Sequence, residues 1–303
     1  MRTSVKSPRN LLLLTACLLA PLTSRADIRV LDYENTPIEL AKPAQRIVAL
    51  TPHAVENLYS VGLGNRIVAT VEYANFPERA KRIPRIGSFA SVSIELITQK
   101  KPDLIVAWGS GSQRSAIERL RELGYPVYVD EPRSLDDIAR SLRDMAILGG
   151  TENQGQAAAA RLEAAQRAYQ KKYAKVKKLA VFYEIWNDPL QTINGSHLIS
   201  QIIHLCGGVN IFASEKMLAP MVSIEAVLER DPDIIITSGN GNESPLWLKS
   251  WTRFHDLRAT ESKALYAVPG DDLQRPTLRI LNGLREVCTD LDDARHTSQK
   301  ASF

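Results

Sequence analysis

Residues 92–111, VSIELITQKKPDLIVAWGSG, recur 130 positions later as residues 222–241, VSIEAVLERDPDIIITSGNG. Val, Ser, Ile and Glu open both copies, Pro-Asp falls at the same offset, and Ile105, Gly109 and Gly111 meet Ile235, Gly239 and Gly241 without a gap. A chain built from one unit used twice is expected to form two similar bodies, which excludes most folds open to a chain of this length.

The unit is readable residue by residue. Ser93 or Ser223 can cap a short helix whose apolar positions are Ile94 and Ile97, or Ile224 and Val227. Pro102 or Pro232 then ends the helix. The apolar runs 104–107 (LIVA) and 234–237 (IIIT) suit strands covered on both faces of a parallel sheet. Each run leads into small residues, and loops at the carboxyl ends of such strands are where open α/β sheets bind ligands. Two such lobes facing one another predict a cleft walled by matched loops.

The first 26 residues read as an export signal outside the fold. Arg2, Lys6 and Arg9 precede an apolar stretch, residues 11–22, too short to span a bilayer, and Ser24-Arg25-Ala26 has the small-x-small pattern of a cleavage site. A second reading makes Leu14-Thr15-Ala16-Cys17 a lipidation site with Cys17 as a membrane anchor. Cleavage after Ala26 removes four basic residues and no acids, which leaves 34 basic against 34 acidic side chains. That balance gives no electrostatic argument for nucleic acid or an anionic membrane. Cys206 and Cys288 are then the remaining cysteines; in an oxidising compartment they most simply pair, since no CxxC spacing favours a reactive or metal-binding pair.

Strand-like segments at 46–50, 66–71, 103–107 and 126–129, with helices at 54–61 and 114–123, outline a first lobe over residues 27–133. A second lobe over residues 178–292 begins with the strand LAVFYE, continues through 234–237 and 264–268, and ends in a helix from about Thr277 to Leu291, leaving residues 293–303 as a polar tail. Between them, residues 134–177 read as helical. Thr151-Glu152-Asn153-Gln154 has capping-box spacing, and a run without Pro or Gly after Gln156 predicts a backbone helix over 151–176, about 37 Å long. Leu162, Ala165, Tyr169, Tyr173 and Val176 would form its packing stripe. The expected fold is therefore two Rossmann-like α/β lobes with mostly parallel sheets, joined by one long helix.

With RIVALTPHAVENLYSVGLGNRIVA, IGSFASVSIELITQKKPDLIVAWGSG, WNDPLQTINGSHLISQIIHLCGGVNIF and DDLQRPTLRILNGLREVC on the page, the chain resembles the periplasmic solute-binding proteins whose two lobes share one backbone helix, and which serve ABC importers of cobalamin, haem, iron-siderophores and some metals. TPHAVEN and NDPLQT point to the cobalamin-binding branch. The resemblance covers nearly all of residues 44–291. It implies a monomer that performs no chemistry, carries no resident cofactor or metal, and passes cobalamin or another corrinoid to an inner-membrane permease and its ATPase.

By position, the resemblance implies ligand contacts at Pro52, His53 and Ala54, at Tyr73 and Phe89, at Trp108, Gly109 and Ser110, and in the second lobe at Tyr183, Trp186, Trp251, Asp271 and Arg275. Phe89 stands where some members have Trp, and either Trp247 or Trp251 could be the cleft residue. The chemistry agrees independently, because a corrin has broad apolar faces and a rim of amides, which call for aromatic walls and a few neutral or paired polar groups. Each aromatic can equally be ordinary core. His53 offers a nitrogen to a cobalt or iron, but the other histidines are scattered away from metal-ligand spacing, against a metal-ion chaperone. Catecholate siderophores would call for several cleft cations where the loops offer mainly Arg275. Asp271 and Arg275 also fit a plain i,i+4 salt bridge. Glu95 and Glu225 sit in the first turns of the repeated helices, where a carboxylate favours the positive helix end; the resemblance adds that such glutamates dock to permease arginines. GxSxG, HExxH and P-loop motifs are all missing from the sequence.

Overall fold

The computed structural model describes residues 28–88, 91–239 and 243–300, and the backbone alone for residues 243–245 and 298–300. The signal segment, Cys17, Phe89 and Gly241 lie outside the described residues. The chain opens with a hairpin, β1 (Ile28–Leu31) and β2 (Pro37–Leu40). There follow β3 (Ile47–Ala49), α1 (Pro52–Ser60), β4 (Ile67–Thr70), the short β5 (Gly87–Ser88) and β6 (Ser91–Val92), α2 (Ile94–Gln99), β7 (Leu104–Trp108), α3 (Arg114–Glu122) and β8 (Val127–Asp130). Two helices connect the lobes, α4 (Leu135–Gly149) and α5 (Glu152–Lys172). The second lobe holds β9 (Leu179–Glu184), α6 (Leu198–Leu205), β10 (Gly208–Asn210), α7 (Ile224–Arg230), β11 (Ile234–Gly239), α8 (Glu243–Trp251), α9 (Arg258–Glu261), β12 (Leu265–Pro269), α10 (Gly270–Leu273) and α11 (Ile280–Lys300).

The two lobes repeat one topology. The first sheet has the order β4-β3-β7-β8 and the second β10-β9-β11-β12, every pairing parallel. In each, the strand of the repeated unit is central and pairs with the lobe's first strand on one side and its last on the other. Alternation along the strands fills both faces. Val48, Ile105 and Val129 pack against Ile97 of α2 and Ile117 of α3, whereas Ile47, Leu104 and Tyr128 face α1 and α4. In the second lobe Phe182 and Ile235 join Phe212, Val227 and Trp251, while Val181, Tyr183 and Ile236 turn towards α6 and α11.

The repeated residues perform the same work twice. Ser93 and Ser223 accept from the backbone N–H of Leu96 and Ala226, each at 3.2 Å. The residue before each proline, Lys101 or Asp231, has positive φ, turning the chain out of the helix where a right-handed conformation would clash with the proline ring. Asp103 then accepts from the backbone of Gln45 and Arg46, and Asp233 from that of Ala180, so each Pro-Asp clamps the entry of the neighbouring strand.

The connection differs from expectation in three ways. α5 ends at Lys172, giving 21 residues and about 31 Å rather than 37. Thr151 makes no side-chain cap; its Oγ1 is buried without a partner, so the capping box does not form. The expected stripe packs, with Leu162 and Tyr173 in the core and Tyr169 and Val176 against it, but the buried face extends back to Gly155, Ala158 and Ala159, and a Cβ on Gly155 would stand 2.3 Å from that of Ala146 in α4, so glycine is needed for the close approach. Tyr173, just past the helix, is buried with its hydroxyl donated to Asp292 at 2.6 Å. One apolar cluster consequently runs unbroken from the first lobe through α4 and α5 into the second. α11 continues through residues 293–300, where a polar tail was expected, because Ala294 and Arg295 are buried and Arg295 donates to the carbonyls of Lys177 and Cys206. Cys206 and Cys288 are joined as a disulfide tying α11 to the end of α6; closing a loop of this size contributes about 3–5 kcal/mol.

Candidate ligand cleft between the lobes

Loops at the carboxyl ends of both sheets converge on one cleft. One part, about 110 Å³, is lined by Trp108, Ser110, Glu131 and Pro132 from the first lobe and by Leu198, Leu218, Leu273, Gln274 and Pro276 from the second. An adjoining part of about 200 Å³ shares Gln274 and is bounded by Ile185, Trp186, Gln191, Ser238, Gly239 and Trp247. Beyond Arg133, Ser196 and His197, which border the first part, the space opens into a polar recess that also touches His204.

Trp108 stands at the end of β7 because Gly111 makes room for it: a Cβ there would lie 1.8 Å from the indole. Ser110 is exposed beside it, and Glu131 holds that loop by accepting from the Ser110 amide at 2.7 Å and its hydroxyl at 3.0 Å. Gly109 is half-buried against Glu131. Trp186 is 50 % exposed, its N–H bound to the Asp188 carbonyl, and meets Trp247 edge to face at 5.6 Å between centroids. Tyr73 is 70 % exposed at positive φ.

Several expected contacts are core instead. His53 is buried: its Nδ1 pairs with the Thr51 hydroxyl at 3.1 Å, its Nε2 faces the Asp130 carboxylate at 3.8 Å, and its ring packs edge-on to Trp108. Burial, with Arg275 nearby, lowers its pKa to about 3, so it is a neutral support beneath the cleft wall, not an open ligand for a metal. Ala54 is fully buried as the residue whose amide Thr51 caps, and Pro52 occupies the first turn of α1 half-buried. Tyr183 points into the core with its hydroxyl hydrogen-bonded to Ser238. Trp251 is also core, 2 % exposed, packed on Phe182 and Phe254 and donating to Glu184 at 2.8 Å. Of the two indoles in α8, Trp247 borders the cleft beside Trp186, whereas Trp251, one turn further on, is buried.

Asp271 and Arg275 do form the i,i+4 pair, at 2.8 Å. Arg275 also crosses between lobes to Glu56 at 2.8 Å, to Asn75 at 2.9 Å and to the Tyr73 carbonyl. Sequence reading missed Glu56, Gln274 and Leu218. For Glu56 a signal existed, a carboxylate beside Asn57 within an otherwise apolar helix; for Gln274 and Leu218 none did, because their place on the cleft follows from the loops' path. Glu95 and Glu225 are exposed and outside every ion pair among the described residues. Glu225 is held below its ordinary pKa by its own backbone N–H and the Ser223 hydroxyl, and Glu95 accepts from Gln99 at 3.3 Å. Among the described residues no group of three or more His, Cys, Asp and Glu converges as a metal site, and no helix is long and apolar enough to cross a membrane.

The chain is 36 % identical over 262 residues to a vitamin B12-binding protein of Vibrio cholerae, covering 86 % of this chain and 94 % of the relative. The crystal structure of the periplasmic vitamin B12 binding protein BtuF of Vibrio cholerae superposes with a TM-score of 0.77 at 35 % identity, over 84 % of this chain and 98 % of that one. The periplasmic haem-binding protein RhuT from Roseiflexus, 24 % identical with a TM-score of 0.73, covers 83 % of this chain and 99 % of its own, and shares the fold. Residues 47–271, most of the chain, match the family model described as periplasmic binding protein, and this chain belongs to the periplasmic binding protein family.

Proposed function

We propose that this protein captures cobalamin or a related corrinoid in the cleft between its lobes, in the periplasm, and delivers it to an inner-membrane ABC importer. The observation that carries the reading is the cleft wall: Trp108 from one lobe borders one part of the cleft, Trp186 and Trp247 from the other lobe border the adjoining part, and Gln274 is shared by both, with Ser110, Ser196, His197, Arg133 and the satisfied Glu131 as the polar groups beside Trp108. Such a surface stacks on a broad apolar macrocycle and offers hydrogen bonds to its amide rim. The relatives named for vitamin B12 binding support the same ligand. Glu95 and Glu225, exposed at equivalent points of the two repeats, fit docking to a permease with one half for each lobe. The disulfide between Cys206 and Cys288 suits a periplasmic location reached through the residue 1–26 signal.

The test is an absorbance spectrum of the protein after incubation with cyanocobalamin and desalting, beside parallel samples with haem and a ferric siderophore. A retained corrin spectrum near one equivalent supports the reading. A retained haem or siderophore spectrum, with cyanocobalamin washed away, would replace it.

A further inference from the structure

The polar groups joining the lobes beside the cleft centre on one residue. Glu56 is 3 % exposed on α1 of the first lobe, and both of its carboxylate oxygens are filled from a single segment of the second. Arg275 donates to Oε1 at 2.8 Å, Thr277 donates to Oε2 at 3.0 Å, and Arg279 approaches Oε1 at 3.4 Å. The neighbouring Asn57 donates to the Pro276 carbonyl at 3.1 Å. Arg275 in turn reaches back to Asn75 and the Tyr73 carbonyl of the first lobe, so the tie binds the Tyr73 loop as well. Leu273, Gln274 and Pro276, which flank Arg275, line the cleft.

From this geometry we infer that Glu56 is a positioning residue for the ligand: it sets where the wall segment 273–276 and the Tyr73 rim stand, without lining the cleft itself. The physical ground is the directionality of the contacts. A buried carboxylate with both oxygens bonded to one loop leaves that loop little freedom, and a guanidinium with donors on both lobes fixes their separation at that edge. Arg279 braces the arrangement from behind, paired with Asp272 at 2.7 Å and stacked over Phe76. Tyr73, at positive φ, holds a conformation that non-glycine residues rarely adopt, and its carbonyl is one of the bonded groups. The cleft is thus built in advance at this edge, which lowers the ordering cost of binding.

The inference rests on the corrinoid reading for its ligand, and the experiment separates the two. Glu56→Gln, Arg275→Gln and the double variant are compared with the unaltered protein by near-ultraviolet circular dichroism, by cyanocobalamin titration, and by hydrogen exchange of residues 273–279 without ligand. Each single variant should retain the native dichroism, exchange faster over 273–279, and bind about tenfold more weakly, with the double variant no worse than either single because one tie is being broken twice. Native dichroism with unchanged affinity in Glu56→Gln would overturn the positioning role, as would additive losses in the double variant. If either single variant fails to fold, Glu56→Asp, which keeps the charge but shortens its reach, takes its place: weakened binding with native dichroism supports the role and unchanged affinity overturns it. If the unaltered protein does not bind cyanocobalamin, the corrinoid reading fails by itself. The exchange over 273–279 then decides the tie alone, faster exchange in Glu56→Gln supporting it and unchanged exchange overturning it.

Discussion

The two copies of the repeat are alike where they build the sheet and unlike where they meet the cleft. In both, a serine caps the helix, a left-handed residue precedes the proline, and an aspartate clamps the next strand. At the strand end, Trp108 of the first copy corresponds to Ser238 of the second. The first lobe therefore draws its aromatic wall from the repeated strand. The second uses Ser238 to hold Tyr183 and Gln274, and takes its aromatics from the loop after β9 and from α8. Backbone demands are the same in both lobes, so the residues that meet them are shared; the strand tips border the cleft instead, and those residues are free to differ.

The largest effect that would break this comparison is expected within α8. Trp251→Ala should cost about 3–5 kcal/mol of stability, because it empties a packed aromatic site and leaves the buried Glu184 carboxylate without its donor. Trp247→Ala and Trp186→Ala should leave stability nearly unchanged and each weaken cyanocobalamin by about 1–3 kcal/mol. Chemical denaturation and titration of the three variants check this, and a binding loss confined to Trp251→Ala would reverse the assignment.

A smaller effect distinguishes the lobes by pH. Each buries a carboxylate at a strand end, and burial raises both Asp130 and Glu184 to about 7. For an acid whose folded pKa exceeds its unfolded value, the folded state binds the proton more tightly, so stability rises as pH falls from about 7 towards the ordinary carboxylate range. In the first lobe this gain is opposed, because buried neutral His53, lowered to about 3, costs stability once pH falls below its ordinary value of 6.5. Buried His197, lowered to about 4, acts in the same sense in the second lobe. Glu184→Gln should therefore flatten the rise on acidification from pH 8 to 6.5, and His53→Gln should reduce the loss below 6.5. Melting temperatures across that range provide the measurement, and superimposable profiles for Glu184→Gln and the parent would refute the first half.

The smallest effect on the isolated protein is expected for the exposed pair. Glu95→Lys with Glu225→Lys should leave cyanocobalamin affinity within error and lower the melting temperature only slightly, through the lost attraction to the helix ends, since neither carboxylate has an ionic partner among the described residues. Complex formation with the importer should nonetheless be abolished, because reversed charges at a rim oppose orientation and encounter. Normal transport by the double variant would remove the docking role and leave the two glutamates as helix-end residues.

Sequence alone determined the architecture, because its signals are local and used twice: capping serines, chain-turning Pro-Asp and β-branched runs act through neighbours in the chain. The disulfide was legible for a similar reason, since two cysteines in an oxidising compartment leave one pairing. The extent of α11 was not legible, because Arg295 is secured by carbonyls that lie far away in sequence. The occupants of the cleft were only half legible. Aromatic type and loop position suggest a wall, but His53, Tyr183 and Trp251 meet the same description and turn inward. Which way a side chain faces at a strand or helix end depends on one residue of register and on what packs behind it. Only the tertiary structure decided that Trp247 rather than Trp251 lines the cleft, and that Arg275 is engaged by Glu56, since a contact between residues 219 positions apart exists only once both lobes have folded against the same helix.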